Sequence, residues 1–329
     1  MTQAATSDRR PVGVLAVNLG SPEEATPRAV RAYLKEFLSD PRVVDWPRPV
    51  WIPLLRGLVL PIRAARLASV YGRVWTDEGS PLVATSRRQA IGLQEQLGEG
   101  WIVALAMRYG TPTLKRGLVR LLQAGCTRVV LLPMFPQRSE ATTGSVVAAV
   151  QELLADLSRD TELRTIPPFP TDEGYLEAVA ATVRSTLAEH PDTEHVVFSF
   201  HGLPVRRANQ EGEVYKEQCE STALALALRL SLDEGSWSLV YQSRFGPEAW
   251  LKPCAQDFVP ALAPAKQRVL VCCPGFTADC LETLDEIGVG LANAFKGAGG
   301  EKLVVAPCVN DRPEWLKAMA DLVRREAAG

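Results

Sequence analysis

The chain has 329 residues, 47% apolar and 22% charged, with 36 Lys and Arg against 38 Asp and Glu and a net charge of −2. That length exceeds one compact core and suits two domains, and the near-neutral balance lacks the basic field that a nucleic-acid partner requires. No stretch reaches the roughly 20 uninterrupted apolar residues of a membrane span, and residues 1–10 lack the apolar centre of a signal peptide, so a cytoplasmic location is expected.

Residues 12–17 are a short apolar run that stops at the turn signal Asn18-Leu19-Gly20-Ser21-Pro22. A helix is predicted over 27–38, with Val30, Tyr33, Leu34 and Phe37 on one face. Strands follow at 101–107 and 128–133, and helices at 113–124, closed by Gly125, and at 143–157. After the Pro-rich break at 166–170 the alternation restarts. Helices are predicted at 175–190, 218–230, 279–295 and 313–327, and strands at 195–200, 238–242, 268–273 and 303–306. This alternation argues for parallel sheets covered on both faces, and its restart for an α/β chain of two similar lobes.

Segment 41–75 breaks the pattern. It carries six Arg, one Asp and neither Lys nor Glu, with Trp46, Trp51, Leu54, Leu55, Leu58, Leu60 and Ile62 among its apolar residues. Two readings stand: a core helix with a basic outer face, or an apolar, Arg-studded lip. A lip would suit a flat aromatic ligand bearing carboxylates, or an anionic membrane surface. The seven cysteines, Cys126, Cys219, Cys254, Cys272, Cys273, Cys280 and Cys308, are scattered and form no C-x-x-C pair, so reduced, mostly buried thiols are expected.

In parallel α/β sheets, ligands sit beyond the carboxyl ends of the strands. None of the loops there carries G-x-G-x-x-G, a P-loop or G-x-S-x-G, which disfavours nucleotide and serine-hydrolase chemistry. Of three histidines, His190 and His195 read as structural. His201 ends the strand run 196–200 and precedes Gly202-Leu203-Pro204, where the sheet rule puts ligands and where its ordinary pKa suits proton exchange. Glu282 and Glu286 are four apart and share one helix face, although the macrodipole alone favours acids near a helix start. One imidazole and one carboxylate make a poor permanent metal site but suit transient handling of Fe²⁺.

These segments resemble the ferrochelatase family. Ser199-Phe200-His201-Gly202-Leu203-Pro204 is similar to its histidine motif, and Phe276-Thr277-Ala278-Asp279-Cys280-Leu281-Glu282-Thr283-Leu284 to its glutamate motif. Asn18-Leu19-Gly20-Ser21-Pro22, Arg108-Tyr109-Gly110, Thr142-Thr143-Gly144-Ser145 and Tyr241-Gln242-Ser243-Arg244-Phe245-Gly246-Pro247 with Trp250 match in order and spacing, so the resemblance spans residues 12–323. It implies a lyase inserting Fe²⁺ into protoporphyrin IX, the terminal step of heme biosynthesis. His201 and Glu282 would be the catalytic and metal-site pair, with Glu286 as proton or metal relay. Leu19, Tyr71, Arg108, Tyr109 and Trp250 would line or support the porphyrin site, and arginines between Arg56 and Arg73 would meet the propionates.

The implied fold is two Rossmann-like lobes: a disordered tail at 1–10, a first lobe at 11–160 including the lip, and a second at 161–300 carrying His201 and Glu282. The last strand and helix, 301–329, would return to the first lobe. A gap wide enough for a tetrapyrrole suggests a different placement, with the imidazole on one lobe and the carboxylate on the other. No cofactor is expected. The [2Fe–2S] cluster of some relatives needs cysteines that are missing: only Cys308 lies near the end of the chain, and Glu140 aligns with an internal cysteine ligand of animal members. Cys280 stands where some relatives have His. The expected partners are porphyrin, ferrous iron and peripheral contact with a membrane surface, with the chain a monomer or weak homodimer. Cobalt or nickel chelation, a coproporphyrin substrate, and a non-catalytic heme or porphyrin carrier stand as alternatives.

Overall fold

The computed structural model describes residues 10–158 and 160–329, so all of the expected tail except Arg10 lies outside the described residues. Eight strands form two four-stranded sheets. Strands β1 (Val12–Ser21), β2 (Trp101–Gly110), β3 (Arg128–Pro133) and β4 (Glu162–Thr165) take the order β2-β1-β3-β4. Strands β5 (His195–His201), β6 (Trp237–Gln242), β7 (Arg268–Cys272) and β8 (Lys302–Val305) take the order β6-β5-β7-β8. Every pairing is parallel and the two orders correspond, so the lobes are two copies of one α/β plan. The central strands β1 and β5 are buried on both faces, which is why they read as near-continuous apolar runs.

Two expected boundaries move. Strand β4 pairs with β3, Arg128 opposite Glu162 through Leu131 opposite Thr165, so the first sheet runs to Thr165 rather than ending at 160. Its polar sequence Glu-Leu-Arg-Thr suits an edge strand and gives no apolar signal. Strand β8 pairs with β7 and belongs to the second sheet, so the last strand does not return to the first lobe. The helix Pro313–Ala328 does reach it, packing on the helix Pro81–Leu97 and also on the helix Glu173–Glu189. Trp315, fully buried, stacks beside Phe169 and Tyr175, and one apolar core joins Val14, Val103 and Val130 of the first sheet to Phe198 and Leu270 of the second.

The lip is helical from Arg48 to Val74: α-helix at Arg48–Leu54, a wide π-turn at Leu55–Val59, then α-helix at Leu60–Val74. Pro53 and Pro61 flank the π-turn, which accommodates the backbone bonds they cannot make. Both readings of the segment hold, one on each face. Trp51, Leu55, Leu60 and Ala64 pack on Val30, Tyr33 and Leu34 of the helix Pro27–Ser39, and the Trp51 indole donates to the Leu38 carbonyl (2.7 Å). Val50, Leu58 and Ile62 point outward among the arginines.

Three helices were not expected: Pro81–Leu97, Val205–Gln210 and Ala255–Leu262. The first buries Thr85, Ser86, Gln89 and Gly92, polar or small residues that interrupt its apolar stripe. The pair Ser80-Pro81 at its start was the available signal. The helix expected at 279–295 is a π-helical run, Glu282–Leu291, followed by Ala292–Gly297, and π-turns of this kind concentrate at functional sites.

Candidate active site

The carboxyl edges of the two sheets face each other. The hydroxyl of Thr277, in the turn after β7, donates to the carbonyl of Met134, just past β3 (3.1 Å). His201 is the last residue of the central strand β5, paired with Gln242 of β6. Its Nδ1 lies 2.7 Å from the Gly202 carbonyl oxygen. A carbonyl only accepts, so the neutral ring carries its proton on Nδ1 and leaves the Nε2 lone pair free. The Tyr215 hydroxyl fixes the backbone by donating to the His201 carbonyl (2.7 Å). A side chain at Gly202 would come 2.7 Å from the Gln242 carbonyl and 3.2 Å from the Trp250 ring, so Trp250 packs directly on this turn.

Glu282 opens the π-helical run that follows β7. Both members of the pair therefore rise from the carboxyl edge of one sheet, on adjacent strands of the second lobe. The placement with one residue on each lobe is corrected: a βα repeat puts successive loops on the same edge, and the first lobe supplies the opposite wall. That wall includes Tyr33 and the lip residue Tyr71. Burial pushes both phenols up, and the nearby Glu282 carboxylate adds to the effect. The Tyr33 hydroxyl donates to the Gly20 carbonyl (3.2 Å). Gly20 has φ +116°, and a side chain there would overlap the Tyr109 carbonyl, so only glycine lets β1 end this close to β2. Leu19 is half-buried at the same edge.

Three expected roles change. Glu286 accepts from the Ser243 amide (2.7 Å), the Ser243 hydroxyl (2.6 Å) and Gln256 Nε2 (2.5 Å). With both oxygens engaged it anchors the turn after β6, where Ser243 has φ +63°. Tyr109 is 1% exposed, and its hydroxyl bonds Asp40 (2.9 Å) and Ser145 (3.0 Å), out of reach of a ligand. Arg108 pairs with Asp40 at 2.7 Å and donates to Ser145 Oγ at 2.7 Å, so its charge is already matched. Arg108 and Tyr109 thus support the root of the lip.

Asp40, missed in the sequence, is the centre of that support. Burial raises its pKa, but hydrogen bonds from Ser145, the Arg42 amide and Tyr109, with the Arg108 charge, outweigh burial and leave it lowered. A carboxylate at the C-terminal end of a helix opposes the macrodipole, and that mismatch was the sequence signal that a cation had to lie nearby. His195 is structural, as expected: it is buried, bonded to Ser238 (3.0 Å), and lowered by burial and by Lys266.

The lip also reaches across to the second lobe. Arg73 pairs with Asp285, beside Glu282 (2.7 Å), and Asp45 holds Arg206 through both its oxygens (2.6 and 2.8 Å). Arg63 lies over the Phe245 ring at 4.2 Å, and burial with the like charge of Arg66 lowers its pKa. All seven cysteines are buried and none is in a disulfide.

Fold and site together define a two-lobed α/β chelatase architecture. The sirohydrochlorin chelatase SirB from Bacillus subtilis subspecies spizizenii, in complex with cobalt, superposes with a TM-score of 0.55 over 97% of this chain and 96% of that one at 10% identity. SirB from Bacillus subtilis with Fe³⁺ gives 0.57 at 12% identity over the same shares, a likeness of fold. The ferrochelatase family profile matches residues 11–327. The ferrochelatase of Thioalkalivibrio sulfidiphilus is 45% identical over 323 residues, 97% of this chain and 87% of its own length, and that of Pectobacterium atrosepticum is 44% identical over 94% and 97%. The chain belongs to the ferrochelatase family.

Proposed function

We infer that the chain inserts Fe²⁺ into a porphyrin, displacing two pyrrole N–H protons, as a lyase of heme biosynthesis. The observation that carries this is the free Nε2 of His201 and the Glu282 carboxylate on one sheet edge, facing a buried tyrosine wall, in a chain of this family. Metalation requires a dehydrated ion, a distorted ring and removal of two protons. The walls of the cleft serve orientation and exclusion of water. His201 Nε2 is the group to take a proton, and Glu282 the carboxylate to accept the incoming ion or the second proton.

Protoporphyrin IX is the proposed substrate, because the lip offers an apolar face. Arg73 is taken by Asp285, and the half-buried Arg63 is the cation proposed to meet a propionate. Trp250 and Leu19 are proposed to touch the macrocycle. An anaerobic absorbance assay with Fe²⁺ and each porphyrin tests the reading: the Soret band should shift with protoporphyrin faster than with coproporphyrin. Tight porphyrin binding with no metal-dependent shift would favour the carrier alternative, and turnover with cobalt but not iron would favour another chelatase.

The reading includes no resident cofactor and no [2Fe–2S] cluster. What supports this is the scatter of the seven cysteines, which form no C-x-x-C pair. Acid-labile sulfide in the purified protein would overturn this. The proposed state is a monomer or weak homodimer, which sedimentation of the purified protein would read directly.

The cytoplasm is the proposed location, with the lip touching the membrane. No helix of the described residues is long and apolar enough to cross a bilayer. What supports surface contact is the stripe Val50, Leu58 and Ile62, all exposed, beside Arg48, Arg56 and Arg66. Sedimentation with vesicles containing anionic lipid should carry the protein down at low salt. Replacing both Leu58 and Ile62 by serine should cut the bound fraction several-fold, and equal binding by that variant would refute the lip as the contact.

A further inference from the structure

Gln89 sits in the helix Pro81–Leu97 of the first lobe, 1% exposed, yet its bonding is directed wholly to the second lobe. Its Nε2 donates to the Thr277 carbonyl (2.6 Å) and to the Asn310 carbonyl (2.7 Å). Those carbonyls lie in the turns after β7 and β8. Its Oε1 is buried without a hydrogen-bond partner. A buried amide with one orphaned atom costs stability, and an apolar residue would fill the place without that cost. The two donors are therefore the reason for a glutamine here.

What they hold is the turn that presents Glu282. Asn310 Nδ2 donates to Asp279 Oδ2 (2.7 Å), and the Asp279 amide donates back to Asn310 Oδ1 (2.9 Å). Asp279 Oδ1 then accepts from the Thr283 hydroxyl (2.9 Å). Residues 277, 279 and 283 are thus tied on both sides of Glu282. Asn310 itself has φ +46°, a strained backbone whose carbonyl direction the Gln89 amide fixes.

We propose that Gln89 is a positioning residue for metal insertion: its amide, reaching from the first lobe, sets where the Glu282 carboxylate stands in the cleft. The idea rests on the reading of Glu282 in the proposed function. Displacement of a reacting group by about 1 Å can cost on the order of 100-fold in rate. Gln89→Leu keeps the volume and removes both donors. It should lower kcat for insertion of Fe²⁺ or Zn²⁺ by about 10-fold or more, with the KM for porphyrin within about 2-fold of wild type. Rates are expressed per porphyrin-binding site, titrated by fluorescence quenching, so that lost folded protein does not enter. In a Glu282→Ala background the same change should cost less than about 2-fold, because the two residues act as one unit.

An unchanged kcat per site, or a full additional loss in the Glu282→Ala background, overturns the proposal. If Gln89→Leu does not fold, Gln89→Asn, which draws the amide back by one methylene, is read by the same numbers. A wild-type protein that inserts no metal would instead overturn the proposed function, and this inference with it.

Discussion

His201→Ala should abolish metal insertion while porphyrin binding survives. A well-placed general base is worth about 10²–10⁴-fold, and here the same nitrogen is also the candidate iron ligand, so a loss toward the upper end is expected. The reason lies in the tautomer. The Gly202 carbonyl 2.7 Å from Nδ1 holds the ring proton there, so the whole acid–base capacity of the residue rests on Nε2. Trp250 and Tyr215 fix the turn through its backbone and should hold it without the imidazole. Porphyrin affinity by fluorescence quenching is therefore expected within a few-fold of wild type. Near-normal turnover in the variant would remove His201 from the mechanism.

The sequence carried most of the second lobe's edge and little of the first lobe's. The position of His201 was legible because a strand end is a local signal, an apolar run closed by a turn, whereas Glu282 was singled out by its resemblance to the family's glutamate motif. For Glu286, spacing gives the Glu282 face but says nothing of Ser243 and Gln256, which reach it from 43 and 30 residues away. The partner of Arg108 and Tyr109 was equally invisible. Their motif position is at a strand end, yet their partner Asp40 is 68 and 69 residues distant. Gln89 left almost no trace, because a helix that buries Thr85, Ser86 and Gln89 lacks the apolar stripe on which periodicity depends. Polar side chains buried between lobes are specified by tertiary contacts, and one sequence does not reveal those contacts.

The cleft also divides labour between its walls. The chemistry stands on rigid strand ends of the second lobe, whereas the lip that faces it is held by polar contacts at discrete points: Arg73 on Asp285, Arg206 on Asp45, Arg63 on Phe245. Two of these are partly exposed ion pairs, which contribute about 0–1 kcal/mol each, whereas Arg207 of the second lobe, 8% exposed, also donates to the Arg42 and Val43 carbonyls of the lip. The lip is therefore tied to the second lobe at Arg207 and to the first lobe at its root.

That root is Asp40, and Asp40→Asn should destabilise the protein more than any change at the rim. Its carboxylate receives Arg108, Tyr109, Ser145 and the Arg42 amide, joining the end of the helix Pro27–Ser39, the end of β2 and the start of the helix Ser145–Leu157. The side chain is 5% exposed and that of Arg108 is 19% exposed. Removing one charge of a buried pair costs about 3–5 kcal/mol, because the other charge is left unmatched. Partial exposure of Arg108 puts the expectation at the lower end, roughly 3 kcal/mol, or about 6 °C in Tm for a chain of this size. The pH dependence has a fixed sign. The folded pKa of Asp40 is lowered, so its contribution is complete above the unfolded value of about 3.9 and is lost as pH falls through the folded value. The gap between wild type and Asp40→Asn should therefore be full at pH 7 and shrink below about pH 4. A variant with wild-type Tm at pH 7, or a gap that persists undiminished into acid, would show that the hydrogen bonds around Asp40 carry the lip without its charge.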